Sequence, residues 1–255
     1  LKVVHLERSG VPTVAFGLVL SGGALADPAS KSGLANLTAA MLAEGTHLRT
    51  SNEISDQLEA LGTHLRHHAS REFAMVSCDS LTSNWRAALE IVSDVVRTSI
   101  FPDHELDRIR KDLMTDFSRI EDNPLAIASR AARSLFYGPG TPYGHPLTGN
   151  EQSVTAIDRA DIEAYHRSHF GPSSATFIVV GSVSLDEAVD AAQAAFGDWS
   201  NNETASSNGA VQDANGATPT RIYIADKPGA AQSIIRAGHL TVPRAHEHYL
   251  RLTML

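Results

Sequence analysis

Apolar and polar positions along the chain change period repeatedly, and each change marks an element. Lys2–Glu7 and Thr13–Ser21 read as a strand pair joined through Ser9-Gly10-Val11-Pro12, where Gly and Pro punctuate a turn. Small and apolar residues then surround a helix over about Gly33–Ala43, closed by Glu44-Gly45. A second helix runs from Ser51 to Leu61 on the spacing of Ile54, Leu58 and Leu61. Strand-like runs return at Thr63–His68 and Phe73–Leu81, separated by Ala69-Ser70-Arg71-Glu72. Helical spacing resumes over Asn84–Thr98 through Leu89, Val92 and Val96, and over Asp103–Ile120 through Leu106, Ile109, Leu113 and Phe117. Pro124 opens a helix to about Leu135, Asp158–Ser168 is a further helix, Thr176–Gly181 a strand and Leu185–Ala195 a helix. Strands adjacent in sequence and helices grouped together indicate an α+β fold with a largely antiparallel sheet.

Ser200–Pro219 breaks the pattern: Asn, Ser, Thr, Ala and Gly dominate, and the stretch reads as a flexible linker. Beyond it, Arg221–Ala225 and Gln232–His239 are expected as strands flanking Lys227-Pro228-Gly229-Ala230, with a helix beginning after Val242-Pro243-Arg244. The expected organisation is a complete domain over 1–199, a linker over 200–219 and the start of a second domain over 220–255.

Composition narrows the field without naming a chemistry. The 255 residues are 42% hydrophobic and 20% charged, in the range of a folded globular sequence. A formal charge of −8 argues against nucleic acid as a partner. The longest apolar runs, Val14–Leu20 and Phe177–Val180, have strand length, so no membrane span is expected. The sequence opens on Leu1 with no charged and apolar leader, so no targeting segment is read within it, and no compartment is assigned. Its single cysteine, Cys78, lies in the alternating run Phe73–Cys78 and is expected as a buried strand residue.

The stretch Gly33-Leu34-Ala35-Asn36-Leu37-Thr38-Ala39-Ala40-Met41-Leu42-Ala43-Glu44-Gly45-Thr46 carries the functional signal. In an H-x-x-E-H helix two histidines four apart share a face and bind zinc, while the glutamate activates the metal-bound water. Asn36, Ala39 and Ala40 stand in those three places. The surrounding frame resembles the pitrilysin/insulinase/mitochondrial-processing-peptidase family, peptidase family M16. Ser21-Gly22-Gly23-Ala24-Leu25-Ala26-Asp27-Pro28, Glu121-Asp122-Asn123-Pro124, Tyr143-Gly144-His145-Pro146-Leu147-Thr148-Gly149 and Phe196-Gly197-Asp198-Trp199 extend the resemblance in order along roughly four-fifths of the chain.

The resemblance implies an M16-like α+β domain followed by the start of a similar one. It also implies a third zinc ligand on a later helix, and Asp116 falls at that position. A catalytic zinc needs three protein ligands and an open position. Asn36 is a weak donor, Ala40 has none and Ala39 cannot take a proton, so no zinc is expected in this chain. The implied function is the non-catalytic half of an M16 zinc metallopeptidase. It would enclose unfolded peptide with a subunit or domain that keeps H-x-x-E-H and holds the zinc. A structural M16-like protein with no proteolytic role, and an active hydrolase with relocated ligands, are the alternatives.

The remaining candidates read as structural. His64 and His68 share a strand face with His67 opposite, His166 and His169 lie three apart at a helix end, and His246 and His248 do not share a helix face. Pro139-Gly140-Thr141-Pro142-Tyr143-Gly144-His145 reads as a rigid turn rather than a phosphate cradle.

Overall fold

The alternating runs pair into one sheet. The computed structural model describes residues 1–200, 220–229 and 232–254. Its strands are β1 (Lys2–Glu7), β2 (Thr13–Ser21), β3 (Arg66–Ala69), β4 (Phe73–Leu81) and β5 (Ala175–Gly181), in the order β1-β5-β2-β4-β3. Three of the pairings are antiparallel and β1–β5 is parallel, so the sheet is largely antiparallel as expected.

The period of two decides which face is buried. Val14, Phe16, Leu18 and Leu20 of β2 point inward with Ala74, Val76 and Cys78 of β4 and Phe177 and Val179 of β5. Phe16 meets Trp85 and Phe177 edge-on at centroid distances of 6.1 and 6.5 Å, a favoured aromatic geometry.

The helices are α1 (Leu34–Met41), α2 (Ser51–Ala60), α3 (Trp85–Thr98), α4 (Asp103–Glu121), α5 (Pro124–Tyr137), α6 (Glu151–Thr155), α7 (Arg159–His169) and α8 (Leu185–Phe196); α1, α3 and α8 pack on the sheet, and α5 packs on α4. Capping boxes begin α2 at Thr50/Glu53, α7 at Asp158/Asp161 and α8 at Ser184/Glu187, each pairing orphan N–H groups with a side-chain oxygen. A last short helix, α9, spans Tyr249–Leu252. Among the described residues no helix is long and apolar enough to cross a membrane.

Four expectations are corrected. β1 and β2 are not partners, because β5 lies between them; adjacency in sequence did not impose pairing across a turn of five residues, 8–12. β3 begins at Arg66, so His64 lies outside the strand, where it shares a 2.9 Å hydrogen bond with Arg66. The short helix α6 was not anticipated; Asn150 caps it by accepting from Ser153 N. Residues 221–225 and 232–239 form no strand, and Ile222, Ile224 and Ile235 are exposed. Extended segments need a sheet to satisfy their backbone, and none is beside them. They run instead near α4 and α5: Lys227 Nζ donates to Glu121 O at 2.7 Å, and Arg236 donates to Ser129 Oγ at 3.0 Å. Apart from Ser200, the linker expected at Ser200–Pro219 lies outside the described residues.

The interior contains one histidine with a readable pH signature. His166 Nε2 donates to Val96 O at 2.8 Å, and its ring packs between Phe101 and Phe170. Burial pushes its pKa down to about 4, against the opposing effect of the Val96 carbonyl. The folded protein therefore binds fewer protons than the unfolded chain between that value and about 6.5. The stability from keeping His166 neutral is fully present above about 6.5 and is lost as pH falls toward 4. Measured by urea unfolding relative to His166→Gln at each pH, the wild-type chain should lose up to about 3 kcal/mol across this window, since Asp27 with its raised pKa titrates in the opposite sense in both. In His166→Gln that portion of the pH dependence should disappear.

Candidate functional site

α1 carries the three motif positions, and a buried carboxylate fixes its start. Gly33 N and Ala35 N donate to the two carboxylate oxygens of Asp27, each at 2.8 Å. The first N–H groups of a helix lack intrahelical acceptors, and the positive end of its dipole favours an anion. Asp27 answers both needs from six residues upstream of Gly33. Burial pushes its pKa up to about 7, while the N–H groups of Ala35, Gly33 and Leu34 favour the charged form. Tyr165 Oη donates to Gly23 O at 3.1 Å, tying the same turn to α7.

Gly33 has φ 97°, which a side chain would strain, and an added Cβ would meet Thr148 O at 2.8 Å. The loop ending at Gly149 thus presses on the start of α1. On the other flank, Ser153 Oγ donates to Ser32 O at 2.8 Å.

The helix is buried on most sides, through Leu34, Ala35, Leu37, Thr38, Ala39 and Met41. Asn36 and Ala40 are half-buried, and their spacing of four places them on one face. Ala39 is buried, 1% exposed. α1 packs against β3, where the partly buried His67 ring lies beside the Ala39 carbonyl. Burial pushes the His67 pKa down, the Ala39 carbonyl works the other way, and Nδ1 of this ring has no hydrogen-bond partner.

Asp116 is on α4, 60% exposed at its side chain, and ion-paired with Arg119 at 3.1 Å. It lines a cavity of about 320 Å³ with Leu113, Phe117, Arg119, Ile120, Asn123 and Thr148. Asn36, Ala39 and Ala40 do not line that cavity, although α1 and α4 pack against each other. The donors do not fit a catalytic zinc: one amide, two methyl groups and a carboxylate engaged by an arginine. Among the described residues no group of three His, Cys, Asp or Glu is placed to hold a metal ion.

The other histidines have structural partners. His169 stacks on Tyr165 with centroids 4.2 Å apart, and His145 Nε2 donates to Pro139 O at 2.7 Å. His246 and His248, expected apart, precede α9 in a turn that brings their rings to 5.2 Å. Cys78 is buried, with Thr63 Oγ1 at 2.9 Å from its sulfur. Asp27 and His67 are the two site residues that pattern did not single out. Asp27 stands between Ala26 and Pro28 with no capping spacing to Leu34, and only the apolar company of an acidic residue hinted at its burial.

Comparison with known proteins is consistent along the chain. Residues 2–148 match the family described as Insulinase (Peptidase family M16), and residues 156–255 match the Peptidase M16 inactive domain. Human mitochondrial-processing peptidase subunit beta is 26% identical over 195 residues, covering 76% of this chain and 40% of the relative. An uncharacterized zinc protease of Rickettsia felis is 22% identical over 196 residues, 77% of this chain and 47% of the relative. The chain therefore spans less than half the length of these curated relatives. Among solved structures, the peptidase M16 inactive domain from Pseudomonas fluorescens superposes with a TM-score of 0.75 at 26% identity, covering 80% of this chain and 50% of that one. The first half of the periplasmic protease PqqL from Escherichia coli shares the fold, with a TM-score of 0.72 at 19% identity over 80% of this chain and 45% of that one.

Two outcomes follow from this geometry. Asp27→Asn keeps the shape but offers one carbonyl oxygen to two N–H donors, so at pH 8 it should lower unfolding stability by about 1–3 kcal/mol, read from urea titration. Elemental analysis of the purified chain, after incubation with zinc and desalting, should find far less than one zinc per chain, because Asn36, Ala39 and Ala40 supply neither the imidazole pair nor the base.

Proposed function

The chain belongs to peptidase family M16, and on that premise we propose that it serves as a non-catalytic part of an M16 peptidase, enclosing unfolded peptide together with a zinc-bearing partner. The partner is an M16 subunit or domain with an intact H-x-x-E-H helix, and the zinc is the partner's. The observation that carries this reading is α1 itself. It is anchored by Asp27 and exposes one side at Asn36 and Ala40, while the residues at 36, 39 and 40 cannot perform metal-assisted hydrolysis. The match of residues 156–255 to an M16 inactive domain supports it. So does the likeness to a mitochondrial-processing peptidase beta subunit, whose name denotes one subunit of a peptidase.

Division of labour gives such a domain a physical role. A peptidase gains from holding its substrate in a fixed pose beside the attacking water, and surfaces without catalytic groups supply that positioning. The same scaffold without any proteolytic role would bind a partner and leave peptides uncut.

Coexpression of the full-length protein with an H-x-x-E-H-bearing M16 chain from the same genome tests the reading. The two should coelute, and the pair should cleave an unstructured peptide that this chain alone leaves intact. Replacing the partner's motif glutamate by glutamine should abolish cleavage without dissociating the pair. Cleavage by this chain alone, or a stable pair that cleaves nothing, would count against the proposal.

A further inference from the structure

α5 presents a basic face that, among the described residues, no carboxylate pairs with. Arg130, Arg133 and Tyr137 are spaced three and four apart, so they share one side of the helix. Arg130 Nη2 donates to Thr148 Oγ1 at 3.4 Å, and its guanidinium lies 5.5 Å from the centre of the Phe117 ring. The Tyr137 ring lies 5.4 Å from that of Tyr143, which places this face of α5 against the loop 138–149.

Arg71, from the turn between β3 and β4, reaches the same loop. Its Nη1 donates to Pro142 O and its Nη2 to His145 O, both at 2.9 Å. These acceptors are neutral, so they orient the guanidinium without cancelling its charge. Burial draws the Arg71 pKa down, and the nearby positive charge of Arg133 draws it down further. Burial does the same to Arg130. A neighbouring acid, Glu72, accepts from Tyr143 Oη at 2.9 Å. Among the described residues no carboxylate pairs with Arg71, Arg130 or Arg133, whereas Arg108, Arg110 and Arg119 of α4 are each ion-paired.

We propose that Arg71, Arg130 and Arg133 form a subsite for a carboxylate of a bound peptide, either an acidic side chain or a free C-terminus. Each guanidinium has five donors in a planar fork matched to a carboxylate, and Arg71 spends only two on the loop carbonyls. Arg130 touches Phe117 and Thr148, which line the cavity that also holds Asp116, so the subsite sits at the rim of a space open to a chain segment. The tyrosines supply a flat wall at this rim. A chain of net charge −8 that keeps three arginines unpaired in one place attracts an anion there locally while repelling polyanions as a whole. The choice of a peptide as the carrier rests on the functional reading above; the carboxylate preference rests on the arginines.

The test uses the full chain and four heptapeptides carrying an uncharged BODIPY label at the N-terminus, which differ in a central Glu or Gln and in a free or amidated C-terminus. Fluorescence anisotropy should show the peptide with both carboxylates binding at least about fivefold more tightly than the one with neither. The two intermediate peptides identify which carboxylate is held. Arg133 is exposed and makes no side-chain hydrogen bond among the described residues, so Arg133→Gln leaves the fold in place and should erase most of the preference, while Arg133→Lys retains part of it. Equal binding of all four peptides, no measurable binding of any, or an unchanged preference in Arg133→Gln would overturn the subsite. The readout is a ratio between charged and neutral peptides on this chain alone. It stands or falls separately from whether a zinc-bearing partner is found.

Discussion

The buried carboxylate of Asp27 at the head of α1 is the interaction on which the site's geometry rests. α1 has eight residues, too few to be stable alone in water, and its first N–H groups open into the interior where no solvent can satisfy them. Asp27 supplies acceptors for two of those groups, and Gly33, with its positive φ, lets the loop at Thr148 close over the turn. Together they determine which residues of α1 face the core and which face outward. Without that anchor, the rotation that places Asn36 and Ala40 on the half-exposed side would have only packing to hold it.

The second constraint is the insertion of β5. Val179 and Val180 lie in register with His5 and Leu6 on one side and Phe16 and Ala15 on the other, so β5 is bonded along both edges. The strand comes from the region matching the M16 inactive domain, while β1 and β2 come from the region matching the insulinase family. The two regions therefore share one sheet and one core. Phe177 shows this directly, touching Phe16 of β2 and Phe196 of α8.

Much of this was legible because the chain's periods are clean. β1, β2 and β4 begin and end where alternation places them, and α3 and α4 follow their apolar stripes to within about a residue. What was not legible depends on contacts between distant segments. Nothing in Lys2–Ser21 reveals that a strand more than 150 residues later separates β1 from β2. The apolar alternation at Ile222 and Ile224 suggests a strand, yet a strand exists only where a neighbour takes its hydrogen bonds. At the site, the departures at Asn36, Ala39 and Ala40 were visible because a motif fixes their spacing. Asp27 was not, since it caps across a loop rather than at the local spacing of a capping box. Arg71 likewise comes near Arg133, and reaches the loop that Arg130 touches, only through folding, and each alone reads as an ordinary surface arginine.

The frame of the degenerate motif is itself explained by packing. Leu34, Ala35, Met41 and Leu42 are all at most 5% exposed, and Gly33 and Gly45 have φ of 97° and 140°. Thr46 Oγ1 donates to the buried Asp94 at 2.8 Å, fixing the exit of the helix to α3. These demands act on the frame whether or not a metal is bound. The motif positions obey different physics. Asn36 and Ala40 are half-buried and tolerate a change of polarity, whereas Ala39 is 1% exposed. An ionised carboxylate at that buried position would carry a desolvation cost that only a metal-bound water or a cationic partner could offset. With no histidine pair to hold the metal, alanine at 39 removes that cost while the frame around it keeps its shape. The persistence of the frame is thus evidence about stability and orientation, and the chemistry must be argued from residues 36, 39 and 40 separately.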